Sequence, residues 1–235
     1  MSFPRTLLLP KPSYALNLKS VPYHTEWVDL PDVKATRIAH GVAPVRKHAD
    51  NTDFYTLPMI HDPATNTYVG DSFDIAVHLD TQYPNRGTQL FAPGSIAVHR
   101  VFNAHVDALF SRYALLAITG LLFNPDTAAV SKAEFARRAG VGSWEELRVE
   151  GAARIPLLES FRAELDALAA LLWPVGDAAT GPFVGGATPS YADLVVGGWL
   201  AMLSVTLPEW GDVCAWQEGR WGKLHEALAP WAEIQ

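Results

Sequence analysis

Residues 54–80, FYTLPMIHDPATNTYVGDSFDIAVHLD, constrain the fold more than any other stretch, because they combine strand, turn and helix signals. The β-forming residues 54–57 and 67–69 flank a turn at residues 62–66, which predicts a hairpin. From Ser72 the apolar residues follow helical spacing, and Asp71 or Ser72 can cap the new helix. Backbone N–H groups that remain free at such a helix start attract a carboxylate.

Pro58 interrupts the first of these strand segments and predicts a strand edge or a cis peptide bond. A break at this point leaves the backbone N–H and C=O of Leu57 available to an extended peptide. Together with the helix start at Ser72, these groups suit a short peptide that carries a carboxylate. The competing interpretation is a hairpin with an ordinary edge proline and an ordinary helix cap.

Composition narrows the classes of partner. The chain has 235 residues, a net charge of −7 and no block of lysine or arginine, so neither nucleic acid nor a membrane is an expected partner. The single cysteine, Cys214, excludes an intramolecular disulfide, and we expect a cytoplasmic protein without a signal peptide. No two histidines lie three or four residues apart, so no metal site is expected.

The periodicity of the chain changes near residue 93. Before it, we expect a short helix up to Lys19, a strand over residues 23–27 and a helix over residues 33–39. After it, apolar residues follow helical spacing almost everywhere. We therefore predict an α/β domain at residues 1–84, a linker at 85–93 and an all-helical domain at 94–235.

Within the helical half, three Ser-x-x-acidic patterns predict helix starts. Ser131 with Glu134 and Ser143 with Glu146 predict two short helices, and residues 154–173 form a further amphipathic helix. Ser190 with Asp193 precedes an apolar helix that contains Gly197 and Gly198. We expect this to be a buried core helix whose glycines pack closely against a neighbouring backbone, and the capping role outweighs a catalytic Ser–Asp pair.

Leu57-Pro58 with Asp71-Ser72, and the segment SYAD at residues 190–193, together resemble the soluble glutathione transferases. The resemblance implies a thioredoxin-like α/β N-terminal domain followed by an all-α C-terminal domain. The segments YTLPMI, DSFDIAVHLD and TPSYADL are most similar to the fungal branch related to bacterial β-etherases. A homodimer is also implied, because family members pair the N-terminal domain of one subunit with the helical domain of the other.

The resemblance also implies a glutathione site. The Leu57 backbone would pair with the cysteinyl part of glutathione beside a cis Pro58, and Asp71 and Ser72 would hold the γ-glutamyl end. Asp71 stands where the family usually has glutamate, which shortens the reach by one methylene. Thr56 and His40 fall near positions that contact glutathione in some classes. The family's structural folding box corresponds to Ser190 and Asp193.

The start of the chain departs from the family pattern. The residue that acts on the glutathione sulfur would fall at Thr6, and Ser13 and Tyr14 are further candidates. With Thr6 at the head of the first helix, Pro10 and Pro12 would lie inside that helix, where proline costs about 3 kcal/mol or more. We therefore expect the first strand and the start of the first helix to be truncated or rewritten.

Three functions agree with these residues. The first is a glutathione transferase that conjugates or cleaves electrophilic or aromatic ether-type molecules; the others are a non-catalytic binder of glutathione or aromatic ligands and a transferase-like scaffold. A second-substrate pocket would be lined by Phe102, Phe110 and Tyr113, although a core role fits these residues equally well. Cys214 lies too far along the chain for the thiol-reductase classes of the family.

Overall fold

The computed structural model describes residues 11–48, 51–173 and 181–235. A small β/α region is followed by a helical region, so the predicted fold class is confirmed. The helices are α1 (Lys11–Leu18), α2 (Val33–Ala39), α3 (Ser72–Gln82), α4 (Ile96–Arg112), α5 (Ala114–Ala117), α6 (Ala128–Ala139), α7 (Arg154–Leu172), α8 (Tyr191–Thr206) and α9 (Trp210–Leu228). The strands are β1 (Arg46–Lys47), β2 (Asp53–Phe54), β3 (Met59–Asp62) and β4 (Thr67–Gly70).

The predicted hairpin is present, but its first strand begins one residue after Pro58. β3 pairs antiparallel with β4, with Met59 opposite Gly70 and Asp62 opposite Thr67. The expectation that residues 54–57 form this strand is wrong, because Phe54 instead pairs with Arg46 in a separate two-stranded sheet. Helix α3 starts at Ser72 and ends at Gln82, as the capping residues and Pro84 predicted.

The strand predicted at residues 23–27 is also wrong. The backbone N–H of Thr25 donates to the carbonyl of Gln235 at 2.9 Å, and the Tyr23 hydroxyl donates to the carbonyl of Glu233 at 2.9 Å. Alternation of side chains indicates which face is buried, but it does not specify what the backbone pairs with. In the described ranges the N-terminal sheet is therefore partial.

The capping predictions in the helical part fail at two of the three patterns. Ser131 lies inside α6, which begins at Ala128. Ser143 does hydrogen-bond Glu146 at 3.3 Å, yet the segment forms only a short 3₁₀ turn at Glu145–Leu147. The predicted helix over residues 154–173 is confirmed as α7.

Helix α8 lies at the centre of the core, as predicted from its apolar sequence. A β-carbon at Gly197 would lie 2.1 Å from Cδ1 of Leu228, and one at Gly198 would lie 2.4 Å from Cγ of Lys11. The glycines therefore permit close packing, against side chains rather than against the predicted backbone. No helix of the described residues is long and apolar enough to cross a membrane.

The segment between α3 and α4 is tied to the N-terminal region. Leu90 and Phe91 are buried, and their backbone N–H groups donate to the Asp80 carboxylate at 3.0 to 3.2 Å. Lys19 pairs with the same carboxylate at 2.9 Å. The boundary at residues 85–93 stays a prediction, since one hydrophobic cluster contains residues from both sides of it.

Candidate functional site

One backbone hydrogen bond joins the two segments that carry the candidate site. The N–H of Asp71 donates to the carbonyl of Pro58 at 3.1 Å, next to the β3–β4 ladder. The Leu57–Pro58 peptide bond is cis, which is one of the two predicted outcomes. The hydrogen bond places Pro58 and Asp71, and with them their chain neighbours Leu57 and Ser72, at one end of the hairpin. Their roles in binding stay a prediction.

Asp71 has an unusual backbone conformation. Its φ is +75°, in the region that favours glycine, and its carboxylate accepts the N–H of Phe73 at 3.3 Å as the N-cap of α3. A non-glycine residue in this region costs about 1 to 3 kcal/mol, and such residues cluster at binding and catalytic sites. The half-buried carboxylate adds a negative charge that suits a ligand ammonium.

Arg37 stabilises the backbone next to the candidate site through hydrogen bonds to two carbonyls. The sequence analysis did not predict this role. Its guanidinium is buried and donates to the carbonyl of Thr56 and, at 2.7 Å, to that of Ala43. Gly70 leaves the room for it, because a β-carbon there would lie 2.4 Å from Nη2 of Arg37. The available signal was that Arg37 and Val33 lie four residues apart on α2 and share its buried face.

Within the described residues, a chain of side chains that the sequence did not indicate joins α8 to α1. The Tyr191 hydroxyl donates to Oδ1 of Asn103 at 3.0 Å. Nδ2 of Asn103 donates to Oδ2 of Asp107 at 3.0 Å. Asp107 in turn pairs with Lys11. We call Tyr191, Asn103, Asp107 and Lys11 the interdomain network.

The charged residues of the interdomain network are Lys11 and Asp107. Lys11 is buried on α1, and its aliphatic chain lies over Gly198. Burial lowers the pKa of Lys11, while the carboxylate of Asp107 opposes that shift. Asp107 also accepts the indole N–H of Trp199 at 2.7 Å, so three donors surround this carboxylate.

Two of the three candidate thiol-activating residues lie within the described residues. Thr6 lies outside the described residues. Ser13 and Tyr14 are both buried in α1, and burial raises the pKa of the Tyr14 phenol to about 12. Tyr14 is part of the main hydrophobic core. Pro12 is the second described residue of α1, and Pro10 lies outside the described residues.

The weaker site predictions fall in different places. Thr56 adjoins Leu57 and uses its carbonyl to hold Arg37. His40 follows the end of α2, where its exposed ring stacks on Tyr68 with 4.3 Å between the ring centroids. Tyr68 lies on the exposed face of the hairpin, so His40 belongs to that face.

Two of the three residues predicted for a second-substrate pocket lie in the core. Phe110 is 2% exposed and stacks on Trp199, and the hydroxyls of Tyr113 and Ser160 hydrogen-bond at 2.8 Å. Burial corrects the pocket interpretation for Phe110 and Tyr113 in favour of the core alternative. Phe102 is half-buried, and its pocket role stays a prediction.

Ser190 and Asp193 form the predicted capping box of α8. The Asp193 carboxylate is fully buried; it accepts the Ser190 N–H at 2.8 Å, the Ser190 hydroxyl at 2.9 Å and the Val184 N–H at 2.7 Å. Burial raises the pKa of Asp193, against the effect of these hydrogen bonds. Ser190 and Asp193 therefore stabilise the start of α8 and the turn that precedes it.

A groove of about 550 Å³ lies between the N-terminal region and α6. Lys34, His48 and Tyr55 line one side of it, and Glu134 and Arg137 line the other. Its lining includes none of the residues at the cis proline or at the start of α3. Among the described residues, no group of three or more His, Cys, Asp or Glu side chains could hold a metal ion.

Comparison with protein-family models shows which family the chain belongs to. The family model described as glutathione S-transferase, C-terminal domain, matches residues 96–231, which is more than half of the chain. The chain belongs to the glutathione S-transferase family. A search of curated proteins found no significant match.

Solved glutathione transferases from fungi share the fold along almost the whole chain. A glutathione S-transferase of Ceriporiopsis subvermispora, crystallised with glutathione, is 29% identical with a TM-score of 0.84, over 96% of this chain and 91% of that one. A second enzyme of that fungus, also with glutathione, is 28% identical with a TM-score of 0.80, over 94% and 90%. A glutathione transferase of Phanerochaete chrysosporium is 26% identical with a TM-score of 0.79, over 96% and 90%.

Proposed function

We propose that this glutathione S-transferase family member binds glutathione at the end of the β3–β4 hairpin and transfers it to electrophilic aromatic molecules. The Leu57 backbone would pair with the cysteinyl part, and Asp71 and Ser72 would hold the γ-glutamyl end. The hydrogen bond from the Asp71 N–H to the Pro58 carbonyl carries the proposal, because it fixes the two segments side by side. The glutathione complexes of the two Ceriporiopsis subvermispora relatives support the choice of ligand.

The electrostatics at this end of the hairpin suit the γ-glutamyl group, which carries an ammonium and a carboxylate. The Asp71 carboxylate attracts the ammonium, while the N-terminus of α3 attracts the carboxylate. Extended backbone next to Pro58 suits the peptide part. Each half of the ligand thus meets a group of complementary charge or hydrogen-bonding capacity.

The proposed reaction is a nucleophilic substitution. The glutathione thiol loses its proton to solvent, the thiolate forms a bond to the electrophilic carbon, and the leaving group departs with the electron pair of the bond that breaks. Aromatic ethers are the proposed substrates, with a phenolate as leaving group. Segments YTLPMI and TPSYADL, which are similar to the etherase-related fungal branch, support this substrate class.

A second candidate function is binding of glutathione or aromatic ligands without turnover. The burial of Ser13 and Tyr14 in α1 favours it, because burial leaves little of either side chain open to a bound thiol. The two functions share the same glutathione site and differ only in the chemistry of the sulfur. Turnover therefore separates them.

Calorimetry with glutathione and a conjugation assay test both functions. We expect Ser72→Ala to weaken glutathione binding about three- to tenfold, the effect of one hydrogen bond, and Asp71→Asn to weaken it about tenfold or more through loss of the charge. Ser95→Ala is the matched control, because Ser95 also precedes a helix and its hydroxyl donates to the nearby Ala92 carbonyl at 2.8 Å.

The outcomes distinguish the candidates. Binding together with turnover of a model electrophile or an aryl ether, both reduced in Ser72→Ala, supports the transferase. Binding without turnover supports the second candidate. Absence of binding at millimolar glutathione overturns both and leaves a transferase-like scaffold.

We further propose that the protein forms a homodimer. Exposed apolar side chains on α4 support this proposal: Val98 is 70% exposed and Val101 is 71% exposed. They lie three residues apart and so share one helical face. A neighbouring ion pair between Arg100 and Asp74, at 3.1 Å, adds polar groups beside that face.

A further inference from the structure

We propose that the groove between the N-terminal region and α6 binds the aromatic second substrate through an anionic group, so that the preferred electrophiles are aromatic acids. This inference rests on the proposed function, whose substrate class it narrows. The groove has a volume of about 550 Å³, and sites for small molecules typically measure about 300 to 1,000 Å³. A substituted benzoate is therefore small enough to enter it.

The groove begins close to the backbone to which we assign glutathione. Tyr55 lines the groove and is 8% exposed. Leu57, the proposed partner of the cysteinyl part, follows two residues later in the chain. Since consecutive Cα atoms lie about 3.8 Å apart, the Cα atoms of these two residues are separated by less than about 8 Å. A molecule that contacts Tyr55 is therefore near the cysteinyl part of the proposed ligand.

Helix α6, which forms one wall of the groove, is attached to the N-terminal region at both of its ends. Just before the helix, Nδ2 of Asn124 and the hydroxyl of Thr127 each donate to Oδ2 of Asp29 at 3.1 Å. Near its last residue, the guanidinium of Arg138 lies over the Phe54 ring, 5.1 Å from the centroid. These contacts hold the wall in place, so the groove is largely preformed, as is usual for small-molecule sites.

The α6 wall of the groove carries more positive than negative charge. Glu134 accepts Nε of Arg137 at 2.7 Å and Nε of Arg138 at 2.7 Å. The hydrogen bond from Arg137 is the largest cause that lowers the pKa of Glu134 to about 2, so this carboxylate is ionised at neutral pH. One carboxylate thus pairs with two guanidinium groups, which leaves a surplus of positive charge on this wall.

The opposite wall adds a further cation, Lys34. The other carboxylate of the lining, Asp53, forms a salt bridge with Lys47. The hydrogen bond from Lys47 is also the largest cause that lowers the pKa of Asp53, with a smaller effect from the charge of Lys34. In the ranges that the structure describes, Lys34 has no carboxylate within salt-bridge distance, and its side chain is exposed. Its ammonium is therefore open to an anionic ligand.

The rest of the lining suits the ring of such a ligand. Tyr55 supplies an aromatic side chain, and Leu30, Pro31 and Val130 supply aliphatic groups. A neutral aromatic molecule would use only this apolar part. An aromatic acid would also place its carboxylate against Lys34, where a charge-assisted hydrogen bond is stronger than one between neutral groups. The lining therefore favours an aromatic ligand that carries a negative charge.

Two electrophiles that differ in charge test the inference, namely para-chloro-meta-nitrobenzoate and the uncharged para-chloro-meta-nitrobenzamide. In both reactions the glutathione sulfur bonds to the ring carbon that carries chlorine, chloride leaves with the electron pair of the broken bond, and the thiol proton passes to solvent. We expect Lys34→Met to raise the KM for the benzoate about three- to tenfold, the effect of one charge-assisted hydrogen bond. The KM for the benzamide and the Kd for glutathione should not change, and Lys34→Arg should restore the KM for the benzoate.

Glu134→Gln gives an expected change in the opposite direction. It removes the negative charge that Arg137 and Arg138 share, while it keeps a carbonyl acceptor for them. The KM for the benzoate should therefore fall about threefold, again with no change for the benzamide. A variant that only disturbs the fold does not gain affinity for one of two similar substrates. Lys223→Met is the control, because it removes an exposed ammonium that donates to the Glu218 carbonyl at 3.0 Å, and it should change neither KM.

Each outcome decides a different statement. Changes confined to the benzoate support the inference. Equal changes for both substrates, no change for either, or a Kd for glutathione that rises in Lys34→Met overturn the inference but leave the proposed function intact. Turnover of neither substrate overturns the proposed transfer, and calorimetry with meta-nitrobenzoate, which has no leaving group, then decides for the groove. Binding that weakens in Lys34→Met supports a site for aromatic acids, and absence of binding overturns it.

Discussion

Gly70 controls the shape of the binding edge because it has no side chain. Arg37 fills the space beside it and donates to the Thr56 carbonyl, which precedes Leu57 and Pro58. The residue that follows Gly70 is Asp71, so a single contact between Gly70 and Arg37 links both segments of the candidate site. The geometry of the site thus depends on a residue that makes no contact with the ligand in our proposal.

Gly70→Ala should therefore lower both stability and glutathione affinity. Its φ is not in the left-handed region, so the cost comes from packing: the new β-carbon would lie 2.4 Å from Nη2 of Arg37 and 2.6 Å from Cγ1 of Val42. We expect the free energy of unfolding to fall by about 1 to 3 kcal/mol, measured by urea denaturation. Gly185→Ala, with no atom within 4 Å of the added carbon, is the control. A change below about 0.5 kcal/mol for Gly70→Ala would contradict this account.

The residues predicted correctly are those whose structural role depends on their near neighbours. Pro58, Asp71 and Ser190 act through turn and cap chemistry, which the sequence shows directly. Arg37 and Tyr191 were missed because their partners are distant in the chain. A single sequence does not indicate which remote carbonyl or hydroxyl a buried polar group will meet.

At the scale of elements, Asp62 connects the β3–β4 hairpin to α3 through hydrogen bonds. Its buried carboxylate accepts from the Tyr83 hydroxyl at 2.8 Å and the Ala64 N–H at 3.0 Å, and contacts Nε2 of His78 at 2.7 Å. Burial alone raises the pKa of Asp62, but the hydrogen bonds from His78, Tyr83 and Ala64 together lower it below 3.8. The ionised form is thus the one that stabilises the fold.

This lowered pKa predicts a pH dependence of stability. Because the folded pKa of Asp62 lies below the unfolded one, its contribution is present above about pH 4 and is lost as the pH falls through the folded pKa. We expect Asp62→Asn to lower the free energy of unfolding by about 1 to 3 kcal/mol at pH 7, and by less at pH 3. Urea denaturation between pH 3 and pH 7 measures this, with the exposed Asp166→Asn as control. An equal loss at every pH would contradict the role of the charge.

Elements were predicted well where a start signal and a stop signal occur together. Helix α3 has both an N-cap and a following proline, and its predicted limits are correct. The strand at residues 23–27 has an alternating pattern only, and its backbone pairs with the C-terminal residues instead. Ser131 fits the capping pattern but lies inside α6, since the spacing of a capping box also occurs in helix interiors.

At the scale of the whole molecule, helices α1 and α8 connect the N-terminal region to the helical region. Tyr14 of α1 and Leu79 of α3 belong to the same hydrophobic cluster as Leu200 of α8. The interdomain network adds polar contacts to this packing. Since residues of both regions share this cluster, association of two copies through α4 would join the helical regions together with the N-terminal regions packed against them.

The proposed homodimer predicts a change of mass on substitution of one α4 residue. Burial of Val98 and Val101 in an interface would contribute about 1.5 to 3 kcal/mol each, whereas a carboxylate at the same place would have to lose its hydration. We expect light scattering to give about twice the chain mass of 25.7 kDa for the wild type and the single-chain mass for Val101→Glu. Leu171→Glu, at a 74% exposed residue of α7, should remain dimeric. A wild-type mass near that of one chain would reject the dimer, and a dimeric Val101→Glu would place the interface on another face.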